Sequence, residues 1–66
     1  MAKVQIEQED GYIIVIAPYD EDWRDRAKEL GGYWDSSVSG WAFDEDTHTV
    51  RDIEREVKLF FPGAFR

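Results

Sequence analysis

Apolar residues near the start of the chain follow two patterns, which together predict a β-hairpin. Residues 4–7 alternate apolar and polar side chains, as is typical of a strand with one buried face. Residues 12–17 are apolar and mostly β-branched, and Pro18 follows them, which indicates a central strand covered on both faces. Residues 9–11 read Glu-Asp-Gly, a composition that favours a turn. We therefore expect two strands joined by this turn.

A first helix is predicted directly after this hairpin. Asp20, followed by Glu21 and Asp22, can accept the free amide protons of a first helical turn, and negative charge there suits the helix dipole. Apolar residues then recur at the helical spacing i, i+4 and i+7: Trp23, Ala27 and Leu30. The pair of glycines at 31–32 is expected to end the helix, because glycine adopts the left-handed cap conformation at little cost.

A second, shorter hairpin and a second helix repeat this order. Aromatic residues at 33–34 and 41–43 flank a small polar stretch at 35–40, which predicts two short strands and a loop. One of the residues 44–47 is then expected to cap a longer helix that ends before Pro62. Its apolar stripe consists of Val50, Ile53, Val57 and Phe60.

The order strand, strand, helix, given twice, predicts an α+β fold. We expect residues 1–66 to form a single domain of order ββαββα, a mainly antiparallel four-stranded sheet with two helices packed on one face. The acidic tetrapeptides at 19–22 and 43–46 match closely. The need to cap two helices explains this match, since acidic residues are favoured at that end, and internal duplication is the alternative.

Composition narrows the classes of protein that the chain can represent. Its 66 residues contain no cysteine, which removes thiolate catalysis and cysteine-based metal sites, and its ten aromatic residues favour a dense core. The longest apolar run, 12–18, is far shorter than the ~20 residues of a membrane span. We expect a cytoplasmic protein, in the host cell if a phage encodes it. A net charge of −7 opposes general binding to phosphate backbones.

Few residues are suited to catalysis or metal binding. His48 is the only histidine, and it lies at an expected helix start where an exposed polar residue is usual. The serines within 36–39 lack the sharp glycine-flanked turn of a nucleophile. Alternating residues at 44–48 resemble the opening of a calcium loop, but Thr49 and Arg55 replace the required glycine and glutamate. We expect no enzymatic activity, no metal and no cofactor.

The acidic residues are unevenly distributed along the chain. Residues 1–22 carry a net charge of −5, residues 23–43 are neutral, and residues 44–66 carry −2. If both helices are entered from the same edge of the sheet, the two Asp-Glu-Asp triplets form one negative rim that attracts a basic protein surface. Helix capping and solubility are the alternative explanation. The expected partner-binding residues are Glu7, Glu9, Asp10, Asp20, Glu21, Asp22, Trp23, Asp44, Glu45 and Asp46, with Trp23 as an apolar anchor.

Two tryptophans flank the second hairpin loop and carry a family resemblance. Residues 27–35 and 40–43 contain a Gly-x-x-Trp-Asp motif followed by Trp-x-Phe, and this arrangement resembles the HARP-type domain of annealing helicases. Such domains are associated with binding structured or single-stranded DNA. The resemblance implies that two tryptophans and the basic residues of the first helix face nucleic acid: Trp34, Trp41, Arg24, Arg26 and Lys28. Packing in the core is the alternative role of Trp34 and Trp41.

These observations lead to three functional hypotheses. The first is a small acidic, non-enzymatic inhibitor from a phage or mobile element, similar in style to anti-CRISPR or DNA-mimic proteins, that blocks the basic surface of a nucleic-acid-handling partner. The second is a HARP-like DNA- or RNA-binding module that uses Trp34, Trp41, Arg24 and Lys28, with further bases on the second helix. The third is a homodimer formed through a free sheet edge or exposed aromatic residues.

Overall fold

Four antiparallel strands form one sheet, and two helices cover one of its faces. The computed structural model describes residues 4–63. The elements are β1 (Gln5–Glu9), β2 (Tyr12–Ile16), α1 (Glu21–Glu29), β3 (Tyr33–Asp35), β4 (Gly40–Asp44) and α2 (Val50–Phe60). The strand order across the sheet is β1-β2-β4-β3, so the two hairpins meet through their second strands. The predicted order ββαββα and the antiparallel sheet are confirmed.

The first hairpin turn and both ends of α1 lie where the sequence predicts them, whereas β1 continues past the predicted end at residue 7 to Glu9. Asp10 and Gly11 both adopt positive φ, 52° and 83°, the conformation of a two-residue turn whose twist suits paired strands. Asp20 caps α1, because its side chain accepts a hydrogen bond from the Trp23 amide at 2.9 Å. Gly31 ends the helix with a φ of 82°, which an L side chain rarely adopts.

The expected start of α2 is wrong by several residues. Asp44 is still part of β4, and its carboxylate accepts a hydrogen bond from the Asp46 amide at 2.8 Å, which closes a turn. Thr49 caps the helix instead, with its hydroxyl accepting from the Asp52 amide at 3.1 Å. An aspartate can cap a turn as readily as a helix, and the pairing of Asp44 with Tyr12 extends the strand through this position.

The core lies between the sheet and the helices. Alternate residues of the central strands face the helices. These residues are buried: Ile13 and Val15 on β2, and Trp41 and Phe43 on β4. The buried cluster consists of Ile13, Val15, Trp23, Ala27, Trp41, Phe43, Ile53, Val57 and Phe61. α2 packs against α1 and β1. Neither helix within residues 4–63 has the length and apolar character needed to cross a bilayer.

Candidate binding surfaces

The two acidic triplets lie at opposite ends of the sheet. β2 and β4 are antiparallel, with Tyr12 opposite Asp44, so the segments that follow the two strands leave the sheet in opposite directions. Residues 20–22 follow the last residue of β2, whereas residues 44–46 follow β4 beside the first residue of β2. The expectation of a single rim built from both triplets is therefore wrong.

The structure instead brings two other acidic segments together. The β1–β2 turn lies beside the segment after β4, and the Glu45 amide donates a hydrogen bond to the Gly11 carbonyl at 3.0 Å. We call this surface the acidic end; its residues are Glu9, Asp10, Asp44, Glu45 and Asp46. All five side chains are exposed. Within residues 4–63 none of them forms an ion pair.

The remaining acidic candidates do not join this surface. Glu7 lies opposite Ile14 on the sheet face away from the helices. Asp20 is half-buried as the cap of α1, and Glu21 and Asp22 are exposed in the first turn of that helix. Glu21 and Asp22 therefore share no surface with the acidic end, whereas Glu7 lies on the same sheet face as Glu9 and Asp44.

Trp23 is not the exposed anchor that we expected. It is 2% exposed and packs against Phe43 and Phe60, with ring centroids 6.0 and 5.8 Å away. The reason is geometric, since position 23 lies on the same helix stripe as Ala27 and that stripe faces the sheet. The indole nitrogen of Trp23 is buried without a hydrogen-bond partner among residues 4–63.

The residues of the nucleic-acid hypothesis come together around an apolar groove between α1 and the sheet. We call it the tryptophan groove; its volume is about 380 Å³. Its lining residues are Val15, Ala17, Pro18, Tyr19, Asp20, Trp23, Arg24, Lys28, Trp34 and Trp41. Trp34 is 54% exposed and Trp41 9%, and their rings meet edge to face with centroids 5.7 Å apart. Trp34 is exposed because it lies on the outermost strand, beyond the cover of α1.

Two of the three basic residues of α1 reach the tryptophan groove. Arg24 donates a hydrogen bond to the Tyr19 hydroxyl at 3.0 Å and pairs with Asp25, and the exposed Lys28 lines the groove without an ion pair within residues 4–63. Arg26 turns away and donates to both carboxylate oxygens of Glu56 on α2, at 3.0 and 3.1 Å. The expectation that Arg26 faces nucleic acid is therefore wrong.

The pair between Arg26 and Glu56 joins the two helices. Hydrogen bonds from the Arg26 guanidinium hold the pKa of the Glu56 carboxyl below its usual value, against the opposing effect of partial burial. On α2, Arg51 and Arg55 are exposed and lie outside the tryptophan groove. Lys58 lies 3.8 Å from Glu54 one turn earlier. The basic residues of this helix therefore share a solvated surface with acidic residues.

His48 has a structural environment and is half-buried, contrary to the exposed position that we expected. Its Nε2 lies 2.7 Å from the Leu30 carbonyl oxygen, and its ring meets Phe43 edge to face with centroids 6.0 Å apart. Because a carbonyl oxygen can only accept, Nε2 carries the hydrogen and donates it. His48 thus connects the end of α1 to the turn before α2.

The sheet face away from the helices is a surface that sequence reasoning missed. Strand alternation and register place ten side chains on it: Gln5, Glu7, Glu9, Tyr12, Ile14, Ile16, Tyr33, Asp35, Ala42 and Asp44. We call this surface the open sheet face. The alternation of each strand was visible in the sequence, but the pairing of β2 with β4, which brings the tyrosines and carboxylates together, was not.

A shallow recess of about 600 Å³ lies on the open sheet face, beside the β3–β4 loop. Asp35 is fixed at its rim, since one carboxylate oxygen accepts hydrogen bonds from the Ser37 hydroxyl at 2.6 Å and the Ser37 amide at 3.0 Å. These hydrogen bonds lower the pKa of Asp35, so this carboxylate stays ionised.

The chain was compared with known protein families, curated proteins and solved structures, and none of them matched. The geometry of the acidic end, the tryptophan groove and the open sheet face therefore carries the functional inference.

Proposed function

We propose that this chain is a non-enzymatic protein-binding module that occupies the basic surface of a nucleic-acid-handling protein. The supporting observation is the acidic end, where two chain segments distant in sequence present five exposed carboxylates without a basic partner in residues 4–63. Spaced carboxylates can take the place of backbone phosphates against lysine and arginine side chains. The mode of action is competitive, as in DNA-mimic and anti-CRISPR inhibitors.

The charge pattern suits such a role physically. Uncompensated carboxylates concentrated at one end attract a basic surface over several ångströms and accelerate association. This attraction is screened by salt, because the Debye length shrinks to roughly 3 Å at 1 M ionic strength. We therefore expect fast, salt-sensitive binding to a basic protein partner.

The test replaces all five residues of the acidic end with their amides and compares affinity capture from a host lysate at low and high salt. The matched control replaces five acids elsewhere, so both variants have the same net charge. The control substitutions are Glu21→Gln, Asp22→Asn, Glu29→Gln, Asp52→Asn and Glu54→Gln. Asn at position 44 retains the oxygen that accepts the Asp46 amide, which preserves the turn.

We expect the native chain and the control variant to capture the same nucleic-acid-binding protein at low salt and to release it at high salt. The acidic-end variant is expected to capture at least about tenfold less of it, since several charge-assisted contacts are lost. Equal capture by the acidic-end variant, with its fold intact by circular dichroism, would contradict the proposal.

Binding of single-stranded nucleic acid at the tryptophan groove is a second candidate function. The supporting observation is that the groove collects Trp34, Trp41, Arg24 and Lys28. In this mode the exposed Trp34 ring stacks on a base, and the two cations contact the adjacent phosphates. The net charge of −7 opposes this binding, so we expect low affinity that falls steeply with salt.

Titration of tryptophan fluorescence with a single-stranded oligonucleotide tests this second function. Trp34→Ala is expected to weaken binding by about 1–3 kcal/mol, the usual loss for one stacked base. Leu59→Ala on α2 is the control, because Leu59 is exposed and lies outside the groove. An unchanged fluorescence signal at low salt would exclude the groove as a nucleic-acid site.

A further inference from the structure

The open sheet face combines aromatic rings with carboxylates in a fixed register. One row across the strands contains Glu9, Tyr12 and Asp44. The next row contains Glu7, Ile14, Ala42 and Tyr33. Neighbouring strands lie only about 4.8 Å apart, so Tyr12 has a carboxylate on each side, Glu9 and Asp44. Tyr33 lies beside Ala42, and Asp35 follows it two residues later on the same face of β3.

The centre of this face is a low apolar floor between two exposed rings. Ile14 and Ala42 are buried, whereas Tyr12 is 40% and Tyr33 57% exposed. The small Ala42 side chain stands directly beside Tyr33 and leaves space above the sheet. The recess of about 600 Å³ described above occupies this region and extends to the β3–β4 loop.

The charge of this face is of one sign. Four carboxylates surround the apolar floor: Glu7, Glu9, Asp35 and Asp44. Among residues 4–63 no lysine, arginine or histidine lies on the face. Pairing with a second copy of the chain would place these carboxylates against one another, so charge complementarity favours a cationic ligand.

We propose that the open sheet face binds an arginine side chain of the partner protein, with the guanidinium stacked on Tyr12 or Tyr33 and paired with a surrounding carboxylate. This inference rests on the proposed function and names the group that the module recognises on its basic partner. The aromatic rings attract a cation through their π faces, and the neighbouring carboxylates accept its hydrogen bonds.

Arginine fits this surface better than lysine. Its planar guanidinium stacks on a ring while its edge donates two parallel hydrogen bonds to one carboxylate, whereas an ammonium is a strongly hydrated point charge. A tyrosine and an acid on adjacent strands offer one partner for each of these two contacts, as Tyr12 does with Glu9 or Asp44.

The test uses three peptides of equal length, hexa-arginine, hexalysine and hexacitrulline, titrated into the isotopically labelled full chain by NMR. Citrulline has the shape of arginine without its charge, and lysine has the charge without the planar group. The variants Tyr12→Leu and Tyr33→Leu keep apolar bulk on the face and remove the aromatic ring. Tyr19→Leu is the matched control, because Tyr19 is exposed but lines the tryptophan groove.

We expect hexa-arginine to shift the amide resonances of β2, β3 and β4 and to bind at least about fivefold more tightly than hexalysine, with no binding of hexacitrulline. Each tyrosine substitution on the open sheet face is expected to reduce hexa-arginine affinity about threefold, and Tyr19→Leu to leave it unchanged. Equal affinity for arginine and lysine peptides with no effect of Tyr12→Leu or Tyr33→Leu would overturn the inference.

Failure of this inference is distinguishable from failure of the proposed function. If the peptides shift only the resonances of Asp10, Glu45 and Asp46, which belong to the acidic end but not to the open sheet face, the sheet face is not the arginine site, while capture of a basic partner by the acidic end still stands. If neutralising the acidic end leaves partner capture unchanged, the proposed function fails whatever the peptides do.

Discussion

Single acidic residues in this chain have different roles that depend on the donor each one meets. Asp20 accepts a helix amide, Asp44 accepts a turn amide, and Asp35 accepts an amide and a hydroxyl from Ser37. Glu56 pairs with a guanidinium on the neighbouring helix. The carboxylates of the acidic end that have no such donor are the ones available to a partner.

The pair between Glu56 and Arg26 gives a prediction for pH dependence. The pKa of Glu56 is lowered from the usual 4.5, so the stabilising contribution is fully present above that value and is lost as the pH falls through the lower folded-state pKa. Glu56→Gln is expected to cost about 1 kcal/mol at neutral pH and to flatten the acid side of the stability curve, measured by urea unfolding from neutral pH to pH 3.

The control for this prediction is Glu54→Gln, which removes a half-buried carboxylate 3.8 Å from Lys58 on the same helix. We expect that variant to lose less than about 0.5 kcal/mol. If the free energy of unfolding falls equally steeply with decreasing pH in the native chain and in Glu56→Gln, the pair between the helices makes no measurable contribution to stability.

His48 gives a second prediction at the level of one side chain. Its ring donates to the Leu30 carbonyl and packs against Phe43, so His48→Ala is expected to destabilise the fold by about 1–3 kcal/mol in denaturant unfolding. Thr47→Ala, an exposed neighbour in the same turn, is expected to remain within about 0.5 kcal/mol of the native chain. A loss of similar size in both variants would assign the effect to the turn backbone.

The elements themselves follow mainly from local chemistry. The tight turn at 10–11, the cap at Asp20 and the left-handed Gly31 each depend on residues within a few positions, and each was predictable from the sequence. The start of α2 was not predictable, since the acidic stretch before it can cap either a turn or a helix. The pairing of Asp44 with Tyr12 keeps the beginning of this stretch in β4, so the helix starts later.

The corrected start of α2 predicts which residue stabilises that helix. Thr49→Ala removes the hydroxyl that accepts the Asp52 amide, and we expect it to cost about 1 kcal/mol. Asp46→Asn is the control at one of the four positions where the sequence allowed the cap, and it is expected to be neutral within about 0.5 kcal/mol. A larger loss of unfolding free energy for Asp46→Asn than for Thr49→Ala, measured by chemical unfolding, would contradict the assignment of Thr49 as the cap.

At the scale of the whole molecule, strand order decides which candidate residues meet. The order β1-β2-β4-β3 separates the two acidic triplets and joins one of them to the first hairpin turn. It also places Trp34 on an edge strand, where it stays exposed beside Arg24 and Lys28. Sequence reasoning identified these candidates but not their arrangement, because pairing between distant segments leaves no local signature.

Concentration of like charge at the acidic end has a predictable effect on stability. Its five carboxylates repel one another without a compensating base in residues 4–63, so replacing them with amides is expected to raise the melting temperature by about 4–8 °C at low salt, equivalent to about 1 kcal/mol. The five-acid control variant measures the general effect of reduced net charge. A lower melting temperature for the acidic-end variant would indicate that these residues serve the fold.

Displacement of the captured partner by duplex DNA tests the central claim most directly. A partner held through carboxylates that stand in for phosphates must release this chain when DNA occupies the same basic surface. We expect added duplex DNA to elute the partner from the immobilised chain at constant ionic strength. Retention of the partner at saturating DNA would contradict competition for a nucleic-acid surface.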